Sequence, residues 1–312
     1  MRRAGAPRPG LVGLLEDLAA HPVSGGTVLV AVALNLAAAF GFSLDHLILA
    51  GGAELAAEPW LALTSVLPHG GWIHLAFNVA WVWVLGRRLE AVLGSLATLA
   101  LFLLLACVPL AAEFALYDGG IGLSGVGYGL VGMLWILARR DERFAGALDD
   151  GVARLFVAWF FVCIGLSWSG VLPVANVAHG AGAVLGLVLG LSLCAERPGA
   201  ARVAAVALTL AALGGATLAR ERVNLSSGSE EAAFRRAVEA LRIDDLEGAL
   251  EAGLRAVAAR EDFPEAWYNL GVTYSRLSRG RDALEAFERA LALEPDDPLY
   301  REAVESLGGI VE

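Results

Sequence analysis

The sequence predicts an all-α protein: a polytopic membrane helix bundle followed by a small α-helical domain. Three observations carry that prediction. Apolar residues make up 57% of the 312, above the roughly 45–50% of an average soluble domain. The excess is confined to about residues 24–219, where one apolar run follows another, and from about residue 220 the chain is charged and helix-patterned. Within that tail, small residues recur 34 positions apart, Ala249 with Ala283 and Ala256 with Ala290, a period that marks stacked helix pairs. The expected divisions are an N-terminal segment 1–22, a membrane domain 23–219, a linker 220–229 and a helical tail 230–312.

The segment 1–22 carries Arg2, Arg3 and Arg8 but no apolar core followed by a small-residue cleavage site. It reads as a retained cytoplasmic segment, not a cleaved leader. Seven runs follow that are long and apolar enough to span, a task that takes about 20 residues: approximately 25–44, 73–88, 93–116, 124–139, 153–170, 175–194 and 201–219. The second and fourth are short and should depend on packing inside the bundle. Orientation follows from the arginines. All 11 that precede residue 220 fall on one side if the N-terminus is cytoplasmic, and the loops 45–72, 117–123 and 171–174 contain none. By the positive-inside pattern the tail is then extracytoplasmic. The long loop 45–72 holds Trp60 among apolar residues, and such a loop lies partly in the interface with the ring at headgroup depth.

Composition also excludes. Cys107, Cys163 and Cys194 all sit in apolar runs, with no disulfide framework or metal-ligand spacing. The net charge is −10, and the tail from Arg220 holds 12 Arg against 20 Asp and Glu. That balance argues against nucleic-acid binding. No metal or organic cofactor is implied.

Polar groups at bilayer depth are costly, so each is a candidate for function. His74 and Asn78 are four residues apart, on one face of the second span. Ser124 opens the fourth span, where unpaired backbone N–H groups and the positive dipole end favour a developing oxyanion. His179 stands in the first turn of the sixth span and is followed by Gly182, Gly186 and Gly190 at four-residue spacing. That strip admits another helix closely, and Gly125 and Gly129 offer the facing surface. Two helices packed so tightly can set a serine hydroxyl within hydrogen-bond reach of an imidazole, the minimum for an activated nucleophile. His69 reads as a loop brace, Glu90 as a cap or brace at a cytoplasmic helix end, and Phe160, Phe161 and Trp168 as packing residues by default, with a gate as the alternative.

Taken together these residues resemble the rhomboid intramembrane serine proteases over about 46–195. Gly122-Leu123-Ser124-Gly125 is similar to the family's GxSG nucleophile motif, and Ala178-His179 with Gly182 to its AHxxG base motif. His69, His74 and Asn78 resemble its second-helix motif, and Gly86, Glu90 and Gly94 its GxxxExxxG pattern. Tyr128 sits where the family packs a ring on the histidine. The resemblance implies Ser124 as nucleophile and His179 as general base and acid. His74, Asn78 and the Ser124 backbone N–H would form the oxyanion site, with Gly122 and Tyr128 in support. It implies a six-helix rhomboid core with one transmembrane helix added, acting on transmembrane protein substrates in the lipid bilayer of a bacterial cytoplasmic membrane. Where the family has Trp-Arg in the first loop, this chain has Trp60-Leu61.

In the tail, Trp267, Leu270, Gly271, Tyr274, Ala283, Phe287, Ala290 and Pro295 fit the tetratricopeptide pattern. The preceding copy is degenerate, and residues after 297 supply a cap. Trp267, Leu270, Tyr274, Ala283 and Phe287 form the core of that repeat. Tyr268, Asn269 and Arg276 lie on the other side of their helix and are the candidate contacts for a protein partner. The alternative function is a non-catalytic rhomboid-like adaptor that binds membrane proteins and recruits a partner through the tail.

Overall fold

A computed structural model describes residues 10–49, 55, 57–117, 119–225 and 230–311, so Arg2, Arg3, Arg8 and linker positions 226–229 lie outside the described residues. Among the described residues the chain is helical and contains no strand. The helices are α1 (Leu11–Ala20), α2 (Pro22–Ala39), α3 (Leu61–Thr64), α4 (Trp72–Leu93), α5 (Ser95–Leu116), α6 (Ser124–Arg140), α7 (Asp150–Trp168), α8 (Asn176–Cys194), α9 (Gly199–Thr217) and α10 (Arg220–Val223). In the tail they are α11 (Glu230–Arg242), α12 (Leu246–Ala259), α13 (Pro264–Arg276), α14 (Gly280–Leu293) and α15 (Pro298–Val311). Contacts divide the chain into two units, Met1–Val223 and Asn224–Glu312. Arg220–Val223, expected in the linker, is a helical turn that packs on α5.

All seven expected spans are helices, and their ends have local causes. The first stops at Ala39, short of residue 44, because the chain turns at Gly41 with φ +89°. The second is longer than expected. It continues past Arg87 and Arg88 to Leu93 and ends where Gly94 takes φ +78°. Glu90, expected as a cap or brace at a cytoplasmic helix end, is buried and paired. Its carboxylate accepts the N–H groups of Val23 and Ser24 at 3.0 and 2.9 Å and the Ser24 hydroxyl at 2.8 Å. Glu90 thus caps the start of α2, which has no capping side chain of its own. α1 was not evident in the sequence. It ends at His21, and Asp17 in its last turn pairs with Arg87 at 2.6 Å. Among the described residues five helices, α2, α5, α7, α8 and α9, are long and apolar enough to cross a membrane. α4 carries three charges near its end, and α6 has 17 residues.

The core of the membrane unit is the α6–α8 pair, around which α4, α5 and α7 pack, with α9 against α5 and α8. The pairing depends on missing side chains. A Cβ on Gly182 would strike the Gly125 carbonyl, one on Gly186 the Gly129 carbonyl, and one on Gly190 the Met133 carbonyl. Close approach of this kind is how helices associate where lipid removes the hydrophobic drive between them. α7 is loosely held: its buried residues are Ala153, Phe156 and Cys163, whereas Phe161 and Trp168 are exposed.

The tail unit is two helix pairs closed by a fifth helix. Leu270, Ala283 and Phe287 are buried, and Trp267 and Tyr274 pack beside them. The two intrahairpin turns place Asp244 (φ +63°) and Ser278 (φ +60°) in the left-handed region. The two positions are 34 apart, so the degenerate copy keeps the turn of the regular one.

Candidate active site

The site is built at the end of the bundle where α4, α6 and α8 all begin. Leu123, at the N-cap of α6, has no side chain able to cap, so the first N–H groups of that helix stay unfilled by any side chain. Before it, Gly122 holds φ +100°, a conformation suited to glycine. A Cβ there would lie 2.6 Å from His74 Cε1 and 3.3 Å from Asn78 Nδ2. The two polar residues of α4 therefore face the Gly122–Ser124 backbone directly. Asn78 is buried, and its Nδ2 has no partner among the described residues.

Loop residues fix this corner from outside. The Leu123 N–H donates to His69 Nε2 at 3.3 Å, while His69 Nδ1 donates to the Leu67 carbonyl at 2.8 Å. These partners assign a neutral ring with the proton on Nδ1. Burial first, and then the neighbouring His74, push His69 down to about 4. The Gly122 N–H reaches the Ser65 carbonyl at 3.4 Å. The Ser65 hydroxyl accepts from Leu49 N–H at 2.7 Å, and Thr64 Oγ1 donates to Leu47 O at 2.8 Å. Leu61, standing where an arginine was expected, is buried in the apolar core, and the loop is braced by this hydroxyl set.

From α8, His179 Nε2 stands 2.8 Å from Ser124 Oγ. His179 is 4% exposed, and its ring stacks on Tyr128 with centroids 4.5 Å apart at 26°. Tyr128 is itself fixed by its hydroxyl, which donates to the Phe156 carbonyl at 3.2 Å. The structure thus brings Ser124, His179, His74, Asn78, Gly122 and Tyr128 to one place, with Gly125, Gly182 and Gly186 holding the helices beneath it. Glu90 is elsewhere, 16 residues beyond His74 on α4 and about 24 Å along its axis.

One buried group was missed in the sequence. Glu113 on α5 is 4% exposed, and its Oε2 accepts the Ala178 N–H at 2.9 Å. A carboxylate within an apolar run is itself a signal, and this one stood unremarked in the third span.

In the tail, the three candidate contact residues differ. The Tyr268 ring packs on Phe287 and Tyr300, at 5.4 and 5.3 Å. Arg276 donates to the Leu241 carbonyl at 3.0 Å and lies 3.5 Å from Asp244. Asn269 bonds its own helix at Glu265 O, 3.0 Å away. Tyr268 thus packs within the tail, and Arg276 ties two of its helices while its side chain stays half exposed.

Fold and site together define a multi-pass helical membrane protein in which a half-buried serine meets a buried histidine. Residues 56–196 match the Rhomboid domain and residues 264–297 the Tetratricopeptide repeat. Both matches fall where the sequence resembles these families, the first over 56–196 and the second over 264–297. Its relatives include the Rhomboid protease GlpG of Serratia proteamaculans, 34% identical over 136 residues, which are 42% of this chain and 46% of the relative. The Rhomboid protease GlpG of Photorhabdus laumondii is 33% identical over 140 residues, 43% and 47% of the two chains. That of Yersinia pseudotuberculosis is 31% identical over 136 residues, 42% and 46%. The chain spans about half the length of the curated relatives it matches.

Proposed function

We propose that this protein is an intramembrane serine endopeptidase of a bacterial cytoplasmic membrane, cleaving transmembrane protein substrates near the external end of a spanning helix. The observation that carries the reading is the 2.8 Å approach of Ser124 Oγ to His179 Nε2 inside an apolar bundle. The naming of the relatives as proteases supports it.

In the reaction, Ser124 Oγ bonds to the carbonyl carbon while its proton passes to His179 Nε2. The resulting oxyanion accepts from the Ser124 backbone N–H, the Asn78 amide and His74. Collapse breaks the C–N bond, and the imidazolium returns its proton to the departing amine. Water then repeats the sequence on the acyl-enzyme and frees Ser124. Tyr128 holds the imidazole plane, and Gly122 keeps the approach to the oxyanion site open. The unpaired Asn78 Nδ2 supports its role. A buried donor without an acceptor costs about 1–3 kcal/mol, and an oxyanion would supply that acceptor in the transition state.

The arginine pattern favours a cytoplasmic N-terminus, which places the dyad near the external face and the tail outside, where it meets a protein partner. The test is cleavage in liposomes of a single-span substrate tagged at both ends, by wild type, Ser124→Ala and His179→Ala. Product from wild type alone, mapped near the external boundary, is the expected result. Equal behaviour of all three on several substrates would sink catalysis and leave the adaptor reading.

A further inference from the structure

We infer that Glu113 is the positioning residue of the proposed dyad: its carboxylate caps the helix that carries His179 and sets where the imidazole stands relative to Ser124. The inference rests on the proteolytic reading above and adds a group that reading does not use.

An α-helix leaves its first four N–H groups unpaired, and a Ser, Thr, Asp or Asn side chain at the N-cap usually takes one of them. Neither helix of the dyad has such a residue. The N-caps are Leu123 for α6 and Ala175 for α8, and neither makes a side-chain capping bond. At α6 the unfilled end is what an oxyanion requires. At α8 the end is filled from a different helix. Glu113 Oε2 accepts the Ala178 N–H at 2.9 Å, and the same carboxylate takes the Val177 N–H. These are the second and third residues of α8, directly before His179.

A buried carboxylate is expensive unless its oxygens are satisfied. Here the two N–H groups and the positive end of α8 satisfy them, so the packing of Glu113 and the placement of α8 depend on each other. The turn that presents Glu113 is in turn fixed from its far side. A Cβ on Gly215 of α9 would lie 3.1 Å from Ala115 Cβ. The Arg220 guanidinium covers the Phe114 ring at 4.1 Å and donates to the Tyr117 carbonyl at 3.3 Å. The seventh long helix and the short α10 thereby back the turn that holds the base helix. Among the described residues the dyad has no third side chain on His179 Nδ1, which is buried without a partner there. Its geometry is accordingly left to the helix, to Tyr128 and to this cap.

The molecule contains its own comparison. Glu90 caps α2 in the same manner, far from Ser124, so loss of a buried cap and loss of base positioning are separable. Purified full-length wild type, Ser124→Ala, Glu113→Leu, Glu113→Gln, Glu113→Asp and Glu90→Gln would be compared in liposomes on one tagged single-span substrate. The readouts are kcat, KM, the rate at which a fluorophosphonate labels Ser124, and the thermal midpoint. Glu113→Leu is expected to lower kcat on the order of tenfold to a hundredfold, the scale of a misplaced catalytic group, with KM unchanged and labelling reduced alike. Glu113→Gln keeps one acceptor oxygen and restores most of the rate, and Glu90→Gln lowers the midpoint without lowering kcat. Wild-type kcat in Glu113→Leu would overturn the inference. So would a loss that Glu90→Gln reproduces at an equal midpoint shift, since Glu113 would then be a general stabiliser. Should Glu113→Leu not fold, Glu113→Asp decides: a fall in kcat at constant KM supports the inference and an unchanged kcat overturns it. A wild type as inert as Ser124→Ala would instead remove the proteolytic reading, and this inference with it.

Discussion

Gly186→Ala adds one carbon where the backbone of α8 crosses that of α6. The new Cβ would lie 2.8 Å from the Gly129 carbonyl carbon and 3.0 Å from its Cα. Carbon atoms rest at about 3.5–4.0 Å, so the helices must part by about 1 Å. Parting them by that amount takes the Ser124–His179 distance from 2.8 Å to nearly 4 Å, past the roughly 3.2 Å limit of a useful hydrogen bond. The serine then loses its base, and a displacement of this size costs about 10²-fold in rate. Stability moves less, because overpacking costs about 1–3 kcal/mol and removing a helix-interior glycine returns about 1 kcal/mol. Gly125→Ala should be milder, since its Cβ would meet Pro109 Cβ at 3.1 Å and the Ala178 carbonyl at 3.6 Å, which a shift of a few tenths of an ångström relieves. Gly165→Ala on α7 meets nothing within 4 Å and is the control. The assay is fluorophosphonate labelling of Ser124 alongside thermal unfolding in detergent. Wild-type labelling in Gly186→Ala would refute the claim that backbone contact sets the dyad distance.

Three further outcomes follow from the same geometry. Gly122→Ala places a methyl 2.6 Å from His74 Cε1 in a backbone conformation suited to glycine; peptide cleavage should be lost while the folded fraction by gel filtration stays near wild type, and retained cleavage would mean His74 does not face the oxyanion. Tyr300→Ala removes a ring that is 4% exposed and packed on Tyr268; at about 3–5 kcal/mol for a buried aromatic the tail should become sensitive to limited proteolysis while Ser124 labelling persists. His69 is held at about 4 against an ordinary 6.5 by burial and then by His74. Between those values the unfolded chain binds a proton that the folded chain does not, so stability falls as pH drops through that window. The thermal midpoint should decline from about pH 6.5 to 4, and His69→Gln should flatten the decline; an equal slope in both would remove His69 as its source.

The legible features are those whose cause lies within one segment. Seven apolar runs mark seven long helices because burial and length act along a single element. The serine at the mouth of α6, the histidine in the first turn of α8 and the four-residue glycine strip are local in the same sense. Even the degenerate repeat is readable, since its alanines and its left-handed turn at Asp244 keep the 34-residue register with Ser278. What stayed hidden depends on a partner elsewhere in the chain. The second span was expected to end near residue 88, yet α4 runs on to Leu93, with Asp17 pairing Arg87 and the start of α2 pairing Glu90. The sequence predicts a cap after residue 297, but the repeat pattern does not specify that its Tyr300 meets Tyr268.

Glu113 is the sharpest case. A capping residue on its own helix betrays itself by spacing, as Asp245 does when it accepts the Gly248 N–H three residues on. A cap supplied by another helix has no spacing relation to the N–H it serves, so periodicity cannot announce it. Only the cost of the buried charge can. The two helix starts at this site show why the distinction matters to chemistry. Both lack a cap of their own, one is left open beside Ser124, and the other is closed by Glu113 beside His179. Under the proposed proteolysis, an open positive end would serve the oxyanion, and a closed one would spare the imidazolium a neighbouring positive dipole. The chemical difference between two similar helix ends therefore comes from a single residue on a third helix.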